Sequence, residues 1–271
     1  MRSRSTWRAM AALCTLLLAP VASADVAATA LAPAVAGAVP PRVAPVAGDR
    51  PQRFEAILAE HQQLADQVIA TGQVVGMAVA IVKDGKVASA KARGVLDAST
   101  LEPAGNASAF RIASLSKAFA SALAARLVEE RYLEWDEPVQ QLVPSFELSD
   151  AHQASRLTIR ELLSQRTGLP YNALDKTLEA SDESYPLLVW RLRSQPMICP
   201  VGACYAYQNV AYSVIGDITF ASTGDFYAHK VVRQIFLPLG MTRASFGLDG
   251  LKAGGDWARP HKRGPRGWIV L

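Results

Sequence analysis

Apolar residues change their spacing several times along this 271-residue chain. Between Arg53 and Ile69, Phe54, Ile57, Leu58, Leu64, Ala65 and Val68 recur at helical intervals, and Gly72 follows as a stop, so a first helix is predicted there. Val74–Val82 and Val87–Ala92 are then rich in strand-forming residues. Lys83-Asp84-Gly85-Lys86 between them supplies the positive backbone angles of a tight hairpin. Helical spacing returns with Leu115, Ala118, Phe119, Ala122, Leu123 and Leu127, outlining a helix that opens at or just before Ser114 and ends near Arg131. Its expected outer face carries Arg126, Glu129 and Glu130.

Thr158 and Glu161 form a capping-box pattern before a short helix to Ser164, which stops ahead of Thr167-Gly168-Leu169-Pro170. Asn209 is placed to cap a helix through Val210 to Phe220, and Asp225 to Phe236 reads as another, ended by Pro238. A helix, a hairpin and then a long helical stretch describe an α+β fold. An antiparallel sheet is flanked by helices, and a mainly helical lobe covers roughly residues 114–240.

The first residues do not belong to this pattern. Arg2, Arg4 and Arg8, the apolar run Ala9 to Leu18, and Ala22-Ser23-Ala24 have the three parts of a cleavable export signal over residues 1–24. Pro20 breaks the apolar run well short of the roughly 18 residues of a membrane span, so no stable span is expected. Residues 25–52 are rich in Ala, Val and Pro, with Pro33, Pro40, Pro41, Pro45 and Pro51, and are expected to form a tether ahead of one folded domain over 53–271. A periplasmic or secreted location follows.

The formal charge of +4 does not indicate a nucleic-acid partner. Arg2, Arg4 and Arg8 lie in the signal, and the residues from Leu251 onward are also basic, which leaves the intervening chain slightly acidic. Export also bears on Cys199 and Cys204, because disulfides persist outside the cytosol. The two can close a short loop, or remain two buried thiols.

Ser114-Leu115-Ser116-Lys117 places a hydroxyl and an amine one helical turn apart, the spacing at which a neighbour can take the proton of a serine nucleophile. A serine opening a helix also gains from the positive end of the helix, which favours charge developing on a reacting carbonyl oxygen. Lys117 needs a depressed pKa to act as a base, through partial burial and neighbouring positive charge. Ser-x-x-Lys alone is common by chance, and Tyr207-Gln208-Asn209 adds a scarcer second constellation. His61, His152, His229 and His261 are scattered without the spacing of paired metal ligands, so neither metal nor cofactor is expected. There is no Gly-x-Ser-x-Gly elbow.

With both constellations in view, the sequence resembles the serine β-lactamase and penicillin-binding superfamily. The resemblance is to the class C β-lactamase-related branch, which includes D-alanyl-D-alanine carboxypeptidases and esterases. Phe110 to Lys117 resembles its nucleophile segment, and Leu162 to Pro170 its Leu-Leu-Ser-x-x-Ser-Gly-Leu-Pro stretch. Pro200-Val201-Gly202 leading to Tyr205 through Asn209 is similar to its Pro-Gly-x-x-Phe-x-Tyr-x-Asn run, and Leu237 to Met241 to its Pro-Leu-Gly-Met. The resemblance covers roughly residues 54–261. It implies a β-lactamase/transpeptidase-like fold in which Ser114 is acylated, Lys117 assists proton removal, Tyr207 shuttles the proton and Asn209 binds the substrate amide and orients Lys117. The implied partner is a small-molecule or peptide substrate (a β-lactam, a D-alanyl peptide or an ester), and the protein is expected to be a monomer.

The family's third motif, Lys-Thr-Gly or His-x-Gly on a central strand, does not follow Asn209 before Leu271. The resemblance therefore implies a chain whose C-terminal sheet strands are missing, with weakened oxyanion stabilisation and exposed apolar faces on the hairpin. Three readings follow. They are a β-lactamase or carboxypeptidase-like acyl-enzyme former, an esterase of the same branch, and a non-catalytic penicillin-binding chain.

Overall fold

Pro51 stands in the first turn of helix α1 (Arg50–Ala70), where a missing N–H costs little. The helix thus begins inside the segment expected to be tether. The computed structural model describes residues 50–271, so the signal over 1–24 and the tether up to residue 49 lie outside the described residues. Along α1, Ala65 is buried and Leu58 and Val68 are half-buried, whereas Ile57 and Leu64 are exposed, against expectation. The packed face is narrower than the apolar set because the helix covers only a small sheet.

That sheet starts with β1 (Gly76–Lys83) and β2 (Lys86–Asp97), antiparallel across a turn in which Asp84 and Gly85 have φ of 51° and 72°. β2 continues past Ala92 and pairs with the short β3 (Glu102–Pro103), giving the order β1-β2-β3. Lys91 Nζ donates to Gln62 Oε1 at 2.7 Å, and Arg93 pairs with Asp66, tying β2 to α1. Among the described residues no strand pairs with the outer edge of β1.

One 3-10 turn, Ala113–Ser116, leads into α2 (Lys117–Glu129). Ala120, Leu123, Ala124 and Leu127 are buried, while Leu115, Ala118 and Ala122 are exposed, which corrects the face expected from spacing. For Leu115 the cause is local: it lies in the 3-10 turn, which has about 3.0 residues per turn instead of 3.6, so it is out of phase with the residues of α2. Arg126 lies on the outer face, bonded to Glu129 at 2.7 Å and Glu130 at 3.1 Å.

The lobe continues with α3 (Val139–Leu142), α4 (Ala151–Arg156), α5 (Ile159–Leu163), α6 (Asp175–Ala180) and α7 (Tyr185–Arg191). It closes with α8 (Ile215–Thr223), α9 (Tyr227–Val231) and a π turn Val232–Phe236. The capping box on α5 forms as predicted, with Glu161 N–H donating to Thr158 Oγ1 at 3.3 Å and Thr158 N–H to Glu161 Oε2 at 3.2 Å. The core lies in this lobe, around Leu123, Leu127, Phe146, Ile159, Leu162 and Ile218.

Asn209 does not cap a helix through Val210. A 3-10 turn Tyr212–Val214 precedes α8, and the Asn209 side chain is engaged with Lys117 and Asp175 instead. After α10 (Gly247–Lys252), β4 (His261–Gly264) and β5 (Gly267–Val270) form a separate hairpin that the apolar pattern did not signal. It is held to the first sheet through Arg259 N–H to Leu96 O at 2.8 Å, Ala98 N–H to His261 Nε2 at 3.0 Å and Trp268 Nε1 to Gly72 O at 3.1 Å. No helix among the described residues is long and apolar enough to cross a membrane.

Candidate active site

The bend that begins the site is at Ala113, whose φ of 46° is uncommon for a residue with a side chain. It turns the chain into the 3-10 turn that presents Ser114, which is exposed, with Lys117 half-buried at the first position of α2. Facing them runs an extended stretch in which alternate side chains point opposite ways. Ala206, Gln208 and Val210 are buried, and Tyr207 and Asn209 are half-buried between them.

Gln208 anchors that stretch. Its side chain is fully buried and its Nε2 donates to Pro170 O at 2.6 Å, while its backbone N–H donates to Gln165 Oε1 at 2.7 Å. Gln165 O in turn accepts from Ala206 N–H at 3.0 Å, and Tyr207 O accepts from Asn172 N–H at 2.8 Å. A buried amide keeps its place through such partners, so the register of Tyr207 and Asn209 is fixed from behind.

The four side chains singled out in the sequence meet. Lys117 Nζ donates to Tyr207 Oη at 2.7 Å and to Asn209 Oδ1 at 2.6 Å, and Tyr207 Oη lies 2.6 Å from Ser114 Oγ. Lys117 Nζ is 3.5 Å from Ser114 Oγ, at the outer limit of a hydrogen bond, so the phenol is the closer neighbour of the serine. The ammonium also lies 4.6 Å from the centre of the Tyr207 ring, and Tyr212 Oη donates to Lys117 O at 3.0 Å. Burial pushes the Tyr207 phenol up, but its hydrogen bonds with Lys117 and Ser114 and the Lys117 charge outweigh burial, and the net direction is down. The Asp175 carboxylate opposes that lowering.

Cys199 and Cys204 are joined by a disulfide, which decides between the two alternatives left by the sequence. The closed loop lies just ahead of Tyr205 and is pinned by Ile198 N–H to Gly168 O and Gly202 N–H to Arg166 O, both 2.9 Å, and by Val201 N–H to Gln153 Oε1 at 2.8 Å. Gly168 has φ of 83°, and a Cβ there would lie 2.4 Å from Cys199 O. Among the described residues no group of three or more His, Cys, Asp or Glu could hold a metal ion. His61 is exposed, and His261 accepts from the backbone of Ala98.

Sequence reasoning did not single out Asp175, nor the anchoring roles of Gln165 and Gln208. Asp175 Oδ2 accepts from Asn209 Nδ2 at 2.6 Å. Its only sequence signal is that an acid opens a short helix after Leu169-Pro170.

The arrangement places a candidate nucleophile beside a phenol that is itself in contact with an amine. The chain is 28% identical over 197 residues to Protein flp of Staphylococcus aureus (strain NCTC 8325 / PS 47), covering 69% of this chain and 39% of that protein. It is 29% identical over 192 residues to Penicillin-binding protein 4 of Amycolatopsis lactamdurans, covering 70% and 46%. The chain thus spans less than half the length of both curated relatives. The octameric penicillin-binding protein homologue from Pyrococcus abyssi shares the fold with a TM-score of 0.68, at 23% identity, over 79% of this chain and 50% of that one. The match to the family described as Beta-lactamase runs over residues 61–270, around the whole of this site, and the chain belongs to that family.

Proposed function

We propose that this protein is an exported serine hydrolase of the class C β-lactamase-related type, forming a covalent acyl-enzyme on Ser114 with a β-lactam or a cell-wall D-alanyl peptide. The observation that carries the reading is the continuous chain of short contacts from Ser114 Oγ through Tyr207 Oη to Lys117 Nζ and Asn209 Oδ1. A tyrosine whose pKa is lowered by a neighbouring ammonium can, once ionised, take the serine proton at 2.6 Å, which Lys117 at 3.5 Å is less well placed to do directly.

Ser114 Oγ bonds to the acyl carbon, its proton passes to Tyr207 Oη, and the carbon–nitrogen bond breaks as the leaving nitrogen takes that proton from Tyr207. In the second half, Tyr207 takes a proton from water, the hydroxide oxygen bonds to the acyl carbon, and Ser114 leaves with the proton returned. In this reading the amide of Asn209 also binds a substrate amide, supported by its contact with Lys117. Residues 1–24 serve as the export signal and those from 25 up to the start of α1 as a tether in this reading, and the protein works as a monomer. The same chemistry serves an ester substrate, and loss of turnover after acylation would leave a penicillin-binding chain.

The 29% likeness to a protein named for penicillin binding makes penicillin the probe. Fluorescent penicillin followed by intact-mass measurement is expected to show one adduct on the wild type and none on Ser114→Ala. No adduct on the wild type, or equal labelling of both, would sink the assignment. Hydrolysis of a chromogenic cephalosporin then separates turnover from trapping.

A further inference from the structure

An asparagine amide can face either way, and beside a cation the two ways are not equivalent. With Oδ1 toward Lys117 the contact is a charge-assisted hydrogen bond, whereas with Nδ2 toward Lys117 two sets of N–H donors oppose each other. The group on the far side of Asn209 decides between them. That group is Asp175, whose Oδ2 accepts from Asn209 Nδ2 at 2.6 Å while Asn209 Oδ1 accepts from Lys117 Nζ at 2.6 Å. A carboxylate has acceptors only, so it admits one orientation of the amide.

Asp175 is itself held in place. It is 9% exposed, it opens α6, and its N–H donates to Asn172 O at 3.1 Å. The N–H of Asn172 donates to Tyr207 O at 2.8 Å, so one turn fixes both the Tyr207 backbone and the carboxylate behind Asn209. Asp175 Oδ1 is buried with no hydrogen-bond partner, an arrangement that disfavours the folded state.

We propose that Asp175 is a positioning residue for acylation: its carboxylate fixes the Asn209 amide so that Oδ1 is presented to Lys117, which in turn is held against Tyr207. This rests on the reading of Ser114, Lys117 and Tyr207 as the reacting group. The Tyr207 side chain is faced by Lys117 and Ser114, by Tyr171, whose ring centre lies 6.0 Å away, by Tyr212 and by Asp175, and of these Asp175 supplies the opposing negative charge.

The test uses the full disulfide-bonded chain with Asp175→Asn and Asp175→Ala, checked for folding by circular dichroism. Acylation by fluorescent penicillin is expected to slow about 10- to 100-fold in Asp175→Ala, with less loss in Asp175→Asn, which can still accept from Asn209. The rate constant should carry this loss and the non-covalent affinity should not. In parallel, ¹³C-tyrosine NMR follows the Tyr207 phenol, assigned with Tyr207→Phe: release of Lys117 should move its midpoint up in Asp175→Ala, against the fall that removing the Asp175 charge alone would give. Wild-type acylation in Asp175→Ala, or a phenol midpoint that falls or stays unmoved in that folded variant, overturns the proposal. If the wild type takes no penicillin, the reading of Ser114 fails, and the phenol titration alone decides for or against Asp175, since it needs no turnover.

Discussion

Tyr207 lies between a cation, a serine and, one residue further off, a buried carboxylate, and its ionisation is the quantity these neighbours set. Because its pKa is lowered, the phenolate forms below the ordinary tyrosine range, and acylation should rise with pH through that lowered midpoint. Lys117→Ala removes the hydrogen bond and the charge that favour the phenolate. Its expected effect is a slower reaction whose midpoint moves back up, read from the pH profile of penicillin acylation. Tyr207→Phe should lose about 100- to 10,000-fold in rate, the usual range for removing a proton-transfer group. A wild-type rate in Tyr207→Phe would move the base to another residue. The four meeting side chains were legible in the sequence because each is embedded in a family-like segment. Asp175 was not, because its partner Asn209 is 34 residues away and a single acid carries no spacing signal.

At the scale of elements, local chemistry was readable wherever it acts within a few residues. The Asp84-Gly85 turn and the Thr158–Glu161 box both form as their side chains dictate. The failures came where distant partners or a change of helix type intervened. Asn209 looks like a cap until Lys117 and Asp175 claim its amide, and the 3-10 turn at Ser114 takes Leu115 out of phase with α2. The β4–β5 hairpin gave no alternation because His261-Lys262-Arg263-Gly264 is polar throughout. The Cys199–Cys204 loop shows how an element far from chemistry can govern it, since it feeds directly into Tyr205–Asn209 and packs against Gly168. Gly168→Ala must accommodate both a left-handed φ and a Cβ 2.4 Å from Cys199 O. It should destabilise the protein by about 1–3 kcal/mol in thermal or urea unfolding. Acylation should slow with it, as the backbone behind Tyr207 shifts. An unchanged unfolding midpoint would mean that the loop yields without strain.

Across the described molecule, burial is uneven. Apart from Leu96 at the end of β2, the largest fully buried side chains, from Leu123 and Leu127 to Phe146, Leu162 and Ile218, all belong to the helical lobe. The sheet has an edge strand whose Val82 is 63% exposed, next to a β2 whose Val87 is 67% exposed. Stability follows packed apolar area, and local opening follows its absence, so the sheet and the lobe should open at different free energies. Amide hydrogen exchange is expected to be slowest in α2 and α8 and markedly faster in β1. Leu127→Ala should cost about 2–5 kcal/mol and lower protection throughout the lobe, because a fully buried leucine leaves a cavity that the surrounding helices cannot fill. Val79→Ala, at a half-buried position of β1, should lower protection in the hairpin alone. The site would feel the two changes differently. Ser114, Lys117, Tyr207 and Asn209 all hang from the lobe, so penicillin acylation should fall with Leu127→Ala and persist in Val79→Ala. Equal protection in β1 and α2, or loss of acylation on loosening the hairpin, would show that the sheet and the lobe hold the site as one cooperative unit.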